Sequence, residues 1–241
     1  QVAFNGNIMY INHSGGLFVR NVSTNLDITS CSASVGSGSD SISRSYAMTV
    51  DSSGSNLYFH TMRRLNRHAI TGDCPSTSRT SSVYRKNWRY SYGIVAHPTD
   101  DSIIYGTSLY EHKIFKYTLN AAKNSFSSTS SKGTRRNKSS TASNTYIYYP
   151  YGLSVDSTNS RIAMADRSKS SVQFFDLNLG WIKELGGSLG TRMTGAHEAI
   201  QAIVSDPSLK AGVNFGFGWW SSQWRGGTTW CSGWNHGRDQ A

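Results

Sequence analysis

Acidic residues, cysteine and proline are all scarce in this sequence. Its 241 residues hold 14 Asp plus Glu against 24 Lys plus Arg, a formal charge of +10. That imbalance favours acidic partners and anionic surfaces without pointing to a particular chemistry. There are only 4 prolines and 3 cysteines. Cys31, Cys74 and Cys231 form neither a C-x-x-C pair nor a zinc spacing, which disfavours thiol-redox motifs and cysteine-bound zinc. No apolar run reaches the roughly 18 residues that a membrane-spanning helix needs. Catalytic signatures are missing too: there is no G-x-S-x-G, no H-E-x-x-H and no phosphate-binding glycine loop. His13, His60, His68, His97, His112, His197 and His236 are scattered, and His197-Glu198 has no second histidine at metalloprotease spacing.

The chain opens at Gln1 with no initiator Met and no signal-like segment, which is expected of a processed chain or a piece of a longer one. The composition fits an exported protein, extracellular or at the cell surface. In an oxidising compartment Cys31 and Cys74 are the expected disulfide, leaving Cys231 for a partner beyond Ala241.

What the chain does have is Ser, Thr, Asn, Gly and Tyr, arranged in a repeat. "SYAMTVDSSGSNLYFHTMRRLNRHAITG" from Ser45, "SYGIVAHPTDDSIIYGTSLYEHKIFKYTLN" from Ser91 and "PYGLSVDSTNSRIAMADRSKSSVQFFDLN" from Pro150 align. Each copy leads with Tyr, a small residue and an apolar one: Tyr46-Ala47-Met48, Tyr92-Gly93-Ile94, Tyr151-Gly152-Leu153. Short strands follow, separated by turns dense in Asp, Ser, Asn and Gly, residues that close tight turns through side-chain-to-backbone bonds or left-handed backbone. "GNIMYINHSGGLFVRNVST" opens the chain as a fainter copy without a Tyr-led first strand. Units therefore lie near 6–28, 45–74, 91–120 and 150–180. A Ser/Lys-rich inserted loop at 124–145 accounts for the longer last spacing. That loop holds the densest basic run, "SKGTRRNKSS", with no interleaved aromatics, so it reads as a solvated loop and not as a nucleic-acid platform.

Units of this length with several short strands mark β-propeller blades. The third full copy, with Val155-Asp156 and Ala165-Asp166, resembles NHL-type and related propellers. The expected fold class is mainly β, with propeller-like blades over 1–186.

Two stretches touch on metal binding. Asp51, Ser53 and Ser55 spell D-x-S-G-S, the cation-holding arrangement of von Willebrand factor A domains. The aligned stretches "HPTDDS" and "DSTNS" cannot supply the same ligands, so Asp51 is read as a turn residue. Residues 190–241 change texture. Arg192, Met193, Ala196, Ala199, Ile200 and Ile203 read as a helix, and Val213, Phe215 and Gly216 as part of a following strand. This segment resembles part of an A domain, a short α/β addition to the β fold. Together with the repeats it resembles the type IV pilus tip-associated adhesins (the PilY-type family), exported bacterial surface proteins. If the A domain's first strand lay in "IMYINHSGG", Asn12 and Ser14 would occupy its first two ligand positions. Asn in place of Asp loses the charge that makes such a site bind a divalent cation well, so no metal or other cofactor is expected. The chain ends with Trp219, Trp220, Trp224, Trp230 and Trp234 among Gly, Ser and Thr. Trp219 is read as core; Trp220, Trp224, Trp230 and Trp234 are candidate ligand-binding residues, since aromatic faces suit sugar rings and protein interfaces.

The functional expectation is an adhesion or scaffold protein contacting protein or glycan surfaces, pilus subunits among them. The alternative is a propeller enzyme acting on polysaccharide. Asp51, Asp156 and Asp166 are the acids within reach of a central channel, although turn and cap roles suit them as well. Acids and histidines converging at a channel mouth would favour the enzyme, and loops lined with Ser, Thr and Tyr would favour binding.

Overall fold

The computed structural model describes residues 1–13, 15–37, 41–84, 90–135 and 146–186. The A-domain-like segment and Trp220, Trp224, Trp230 and Trp234 lie outside the described residues, as does Ser14.

Four up-and-down antiparallel sheets follow one another along the chain. The first holds β1 (Val2–Asn5), β2 (Ile8–His13), β3 (Gly16–Asn21) and β4 (Leu26–Asp27). A 3-10 turn, Ile42–Arg44, leads into the second sheet: β5 (Ala47–Val50), β6 (Asn56–His60) and β7 (Arg64–Thr71), with β8 (Cys74–Pro75) and β9 (Ser81–Tyr84) both pairing with β7. The third runs β10 (Ile94–Ala96), β11 (Ile103–Ser108), β12 (Lys113–Leu119) and β13 (Phe126–Lys132). A short parallel pair, β14 (Thr134–Arg135) with β15 (Tyr146–Ile147), leads to the fourth: β16 (Pro150–Asp156), β17 (Arg161–Asp166), β18 (Ser171–Asp176) and β19 (Trp181–Gly186).

Successive first strands lie side by side, β1 by β5, β5 by β10 and β10 by β16. They form the inner edge of an arc whose sheets stack face to face like blades. Period-2 alternation explains the stacking, because each strand sends side chains to both faces and a blade between two neighbours needs both faces apolar. In the second blade, Met48, Val50, Leu57 and Phe59 pack with Tyr10, Leu17 and Val19 of the first. Ala47, Tyr58 and Leu65 point the other way, onto Ile104, Phe115 and Tyr117 of the third. A third core joins Tyr105 and Ile114 to Ile162, Met164 and Phe175. Full burial of one such side chain contributes about 1.5–3 kcal/mol, so these cores are what holds the blades together. The face of the first blade turned away from the second carries Val2, Phe4 and Phe18 and remains exposed.

Several expected boundaries shift; β9 and β19, for instance, carry the second and fourth units beyond residues 74 and 180. The opening unit has its own first strand, β1, which the missing lead tyrosine had hidden. Part of the stretch read as an inserted loop is strand, since β13 pairs with β12 from Phe126 to Lys132. An outermost strand needs hydrogen bonds along one edge only, so a run of Ser and Thr suffices and no apolar alternation announces it.

Cys31, just beyond the first blade, and Cys74, on β8, are joined by a disulfide that ties the first blade to the second. Closer in, Gly93 lets the third blade's lead-in approach the fourth blade. A Cβ there would sit 2.6 Å from the Tyr151 carbonyl oxygen and 2.8 Å from the Leu153 amide nitrogen, whereas one on the aligned Gly152 would meet nothing within 4 Å. Gly93→Ala should therefore destabilise the protein by about 1–3 kcal/mol through backbone overpacking, while Gly152→Ala should be near neutral. Paired urea melts check this contrast, and equal losses would refute the seam geometry.

Candidate functional site: a tyrosine-lined mouth

The tyrosine that opens each full repeat sits just before an innermost strand or, for Tyr151, at its start, so the arc brings the three together at one mouth of its axis. Tyr92 and Tyr151 stack with centroids 4.4 Å apart and planes at 8°. Tyr46 meets Tyr92 edge-on at 5.6 Å. Tyr90 extends the group, 5.4 Å from Tyr46 and 5.7 Å from the exposed Tyr110. The Arg167 guanidinium lies 5.3 Å over the Tyr151 ring, and its Nη1 donates to the Tyr151 hydroxyl at 3.4 Å. Beside Tyr46 is a cavity of about 420 Å³ lined by Ser43, Arg44, Ser45, Tyr46 and Met62.

The backbone beneath is fixed by hydrogen bonds. The Tyr46 amide donates to the His60 carbonyl at 2.7 Å. The Gly93 amide donates to Thr107 Oγ1 at 3.1 Å, and that hydroxyl donates to the Tyr151 carbonyl at 3.1 Å. Thr107 thus couples the lead-ins of the third and fourth blades. Burial, reinforced by Tyr151, pushes the Tyr92 hydroxyl up to about 12. Burial, with Tyr90 adding, raises Tyr46 as well. These phenols stay neutral at physiological pH and act as hydrogen-bonding groups.

The three candidate acids are held within turns and strand ends. Asp51 Oδ1 accepts from Ser53 Oγ at 3.0 Å, the Ser55 amide at 2.9 Å and the Asn56 amide at 3.2 Å, and Oδ2 accepts from Asn56 Nδ2 at 2.6 Å. Asp156 accepts from the Asn159 amide and side chain at 3.1 and 2.7 Å. Asp166 accepts from the Tyr148 amide at 3.0 Å and Gln173 Nε2 at 3.2 Å. Asp51 and Asp156 close turns at the mouth opposite the tyrosines, so the acids do not converge with Asp166. Among the described residues, no group of three or more His, Cys, Asp and Glu is placed to hold a metal ion. Asn12 lies on β2, where its Nδ2 donates to Ser45 Oγ at 2.6 Å, linking the first blade to the lead-in of the second.

Reading by residue missed this cluster, although its signal was present: the tyrosines of the Tyr-small-apolar triplet served only as repeat markers. Recurrence at the same point of an inner strand is what makes them converge.

Among the described residues the architecture is a β-propeller arrangement of four blades. Among solved structures it is similar to the Cps50 (Swd1) β-propeller domain of Myceliophteria thermophila, with 11% identity, a TM-score of 0.54, and coverage of 76% of this chain and 53% of that one. It is also similar to a chain of the mitotic checkpoint complex (10% identity, TM-score 0.52, coverage 76% and 50%) and to one of a nidogen/laminin complex (13%, 0.50, 76% and 61%). At such identities the likeness shows the fold alone, and the chain spans between half and three fifths of the length of these chains. No protein-family model matches the sequence, and no curated protein does.

Proposed function

We propose that this chain is an exported adhesion or scaffold propeller that holds a partner protein across its tyrosine-lined mouth. The observation carrying this reading is the convergence of Tyr46, Tyr90, Tyr92, Tyr110 and Tyr151 at one mouth while Asp51, Asp156 and Asp166 are occupied by backbone and side-chain amides. Tyrosine is enriched at protein interfaces because a rigid ring provides contact area and its hydroxyl a polar anchor. Two of the similar structures are described as complexes, which agrees with a scaffold role. The Cys31–Cys74 bridge fits an oxidising, extracellular location. The pilus-tip adhesin is the narrower form of this reading and rests on the A-domain-like segment near the C-terminus. Because Asp51, Asp156 and Asp166 are spent on turns and strand ends, these three acids lend no support to polysaccharide cleavage.

The test is a screen of the purified chain against a peptide library and a glycan array, with Tyr110→Ser and the pair Tyr92→Ala/Tyr151→Ala alongside. Peptide binding is expected, weakened at least about tenfold by the pair and severalfold by the exposed Tyr110→Ser, as suits truncated aromatic anchors. Binding indifferent to both variants would sink the proposal, and glycan binding with release of cleaved product would replace it with the enzyme.

A further inference from the structure

The charges and rings around the mouth bear on the chemistry of its occupant. The first strands start at the tyrosine mouth, and the turns between second and third strands return to it. Arg44, Arg63, Lys113, Arg167 and Lys169 fall at this end by their places in the fold. Carboxylates concentrate at the other end. Asp51, Asp100, Asp101 and Asp156 lie at or near turns between first and second strands, while Asp73 and Asp176 lie at turns between third and fourth. Three acids do lie toward the tyrosine mouth: Glu111, Glu184 and Asp166, the last bonded to the Tyr148 amide.

Ring orientation adds an independent constraint. One face of Tyr92 is covered by Tyr151, and Arg167 lies over the Tyr151 ring. Nucleobases stack on open ring faces. Covered rings offer their edges and hydroxyls instead. A ring edge carries the positive part of the quadrupole, and phenol and guanidinium both donate hydrogen bonds. Edges, hydroxyls and guanidiniums on one surface recognise carboxylates, which accept up to four such bonds and pair bidentately with arginine.

We propose that the mouth captures an acidic, extended segment of a partner protein, a deepening that rests on the function proposed above. Glu or Asp side chains of that segment meet Arg44 in the cavity beside Tyr46 at one side and Arg167 at the other. Its backbone crosses the Tyr46, Tyr92 and Tyr151 hydroxyls.

The experiment measures binding of a labelled peptide of alternating Glu and Tyr, its Lys-Tyr counterpart and an oligo-dT strand to the full chain. Proteins compared are wild type, Arg44→Glu/Arg167→Glu and Tyr110→Ser. The Glu-Tyr peptide should bind at least tenfold more tightly than the Lys-Tyr one and weaken as salt rises, and Arg44→Glu/Arg167→Glu should abolish or invert the preference. Equal binding of the two peptides overturns the inference, and so does oligo-dT competing more strongly. Self-association of the chain that the double charge reversal abolishes would instead assign the site to the acidic end of a second copy, and so overturn it as well. Loss of peptide binding in Tyr110→Ser with no effect of charge reversal would leave the tyrosine site standing and refute only its acidic preference. If neither change matters, both readings fall.

Discussion

Replacing both cysteines of the disulfide, Cys31→Ser with Cys74→Ser, should destabilise the protein by about 4 kcal/mol, from the loop-closure entropy of the 43-residue separation it spans. For a chain of this size that is roughly a 10 °C fall in melting temperature. The pair must be replaced together, because a lone Cys31 or Cys74 could bridge to Cys231. The loss should also be uneven along the array. Cys31 packs against the core formed by Tyr10, Leu17 and Val19 with Met48, Leu57 and Phe59, and the first blade has no described neighbour on its Val2, Phe4 and Phe18 face. Blade arrays are held by nearest-neighbour seams, so a blade with one seam is the first to open once its tether is cut. Hydrogen exchange should quicken most in β1 to β3 and least in β10 to β12. A loss below about 1 kcal/mol in urea titration, or uniform exchange across the blades, would show that the bridge does not secure this seam.

Much of the fold was legible because each blade repeats its own punctuation. The turns "DSSGSN", "PTDDS" and "DSTNS" fall at equivalent places, and in the first of them Asp51 collects the amides of Ser55 and Asn56 as a turn residue would. Two of the strands that escaped notice lie where physics asks least of the side chains. β13 is an outermost strand of Ser and Thr, and β1 is a four-residue inner strand whose Val2 and Phe4 face away from the second blade. The candidate site was legible only in part. Tyr46, Tyr92 and Tyr151 stood out as repeats, yet their stacking depends on how far each blade turns about the axis, which no local pattern encodes. Tyr90 and Tyr110 lie outside the aligned triplet and join only through space. The tryptophans marked as ligand-binding belong to the segment beyond residue 186, outside the described residues.

Mild acid should weaken the protein before its carboxylates titrate, and His60 should carry most of the effect. It ends β6 with no exposed surface, in the seam between second and third blades, where its Nε2 lies 3.1 Å from the place a Cβ on Gly106 would take. Burial lowers it from an ordinary 6.5 to about 3, only partly offset by a backbone bond at Thr61. The sign follows from linkage. The folded pKa lies below the unfolded one, so between these values the unfolded chain binds the proton and the folded chain does not. The neutral ring's contribution is complete above about pH 6.5 and is lost as pH falls toward 3. At pH 5 the loss is about 2 kcal/mol, while carboxylates with ordinary values near 4 are still largely ionised. His68, stacked 5.0 Å from Phe59 in the neighbouring seam, is lowered too, first by burial and also by the Arg79 charge, and adds in the same direction. Urea midpoints measured from pH 7.5 to 4.5 should therefore fall steadily in the wild type and much less in His60→Gln, whatever that variant's stability at neutral pH. Parallel slopes for the two proteins would mean that His60 is protonated in the folded state and that the seam around it admits water.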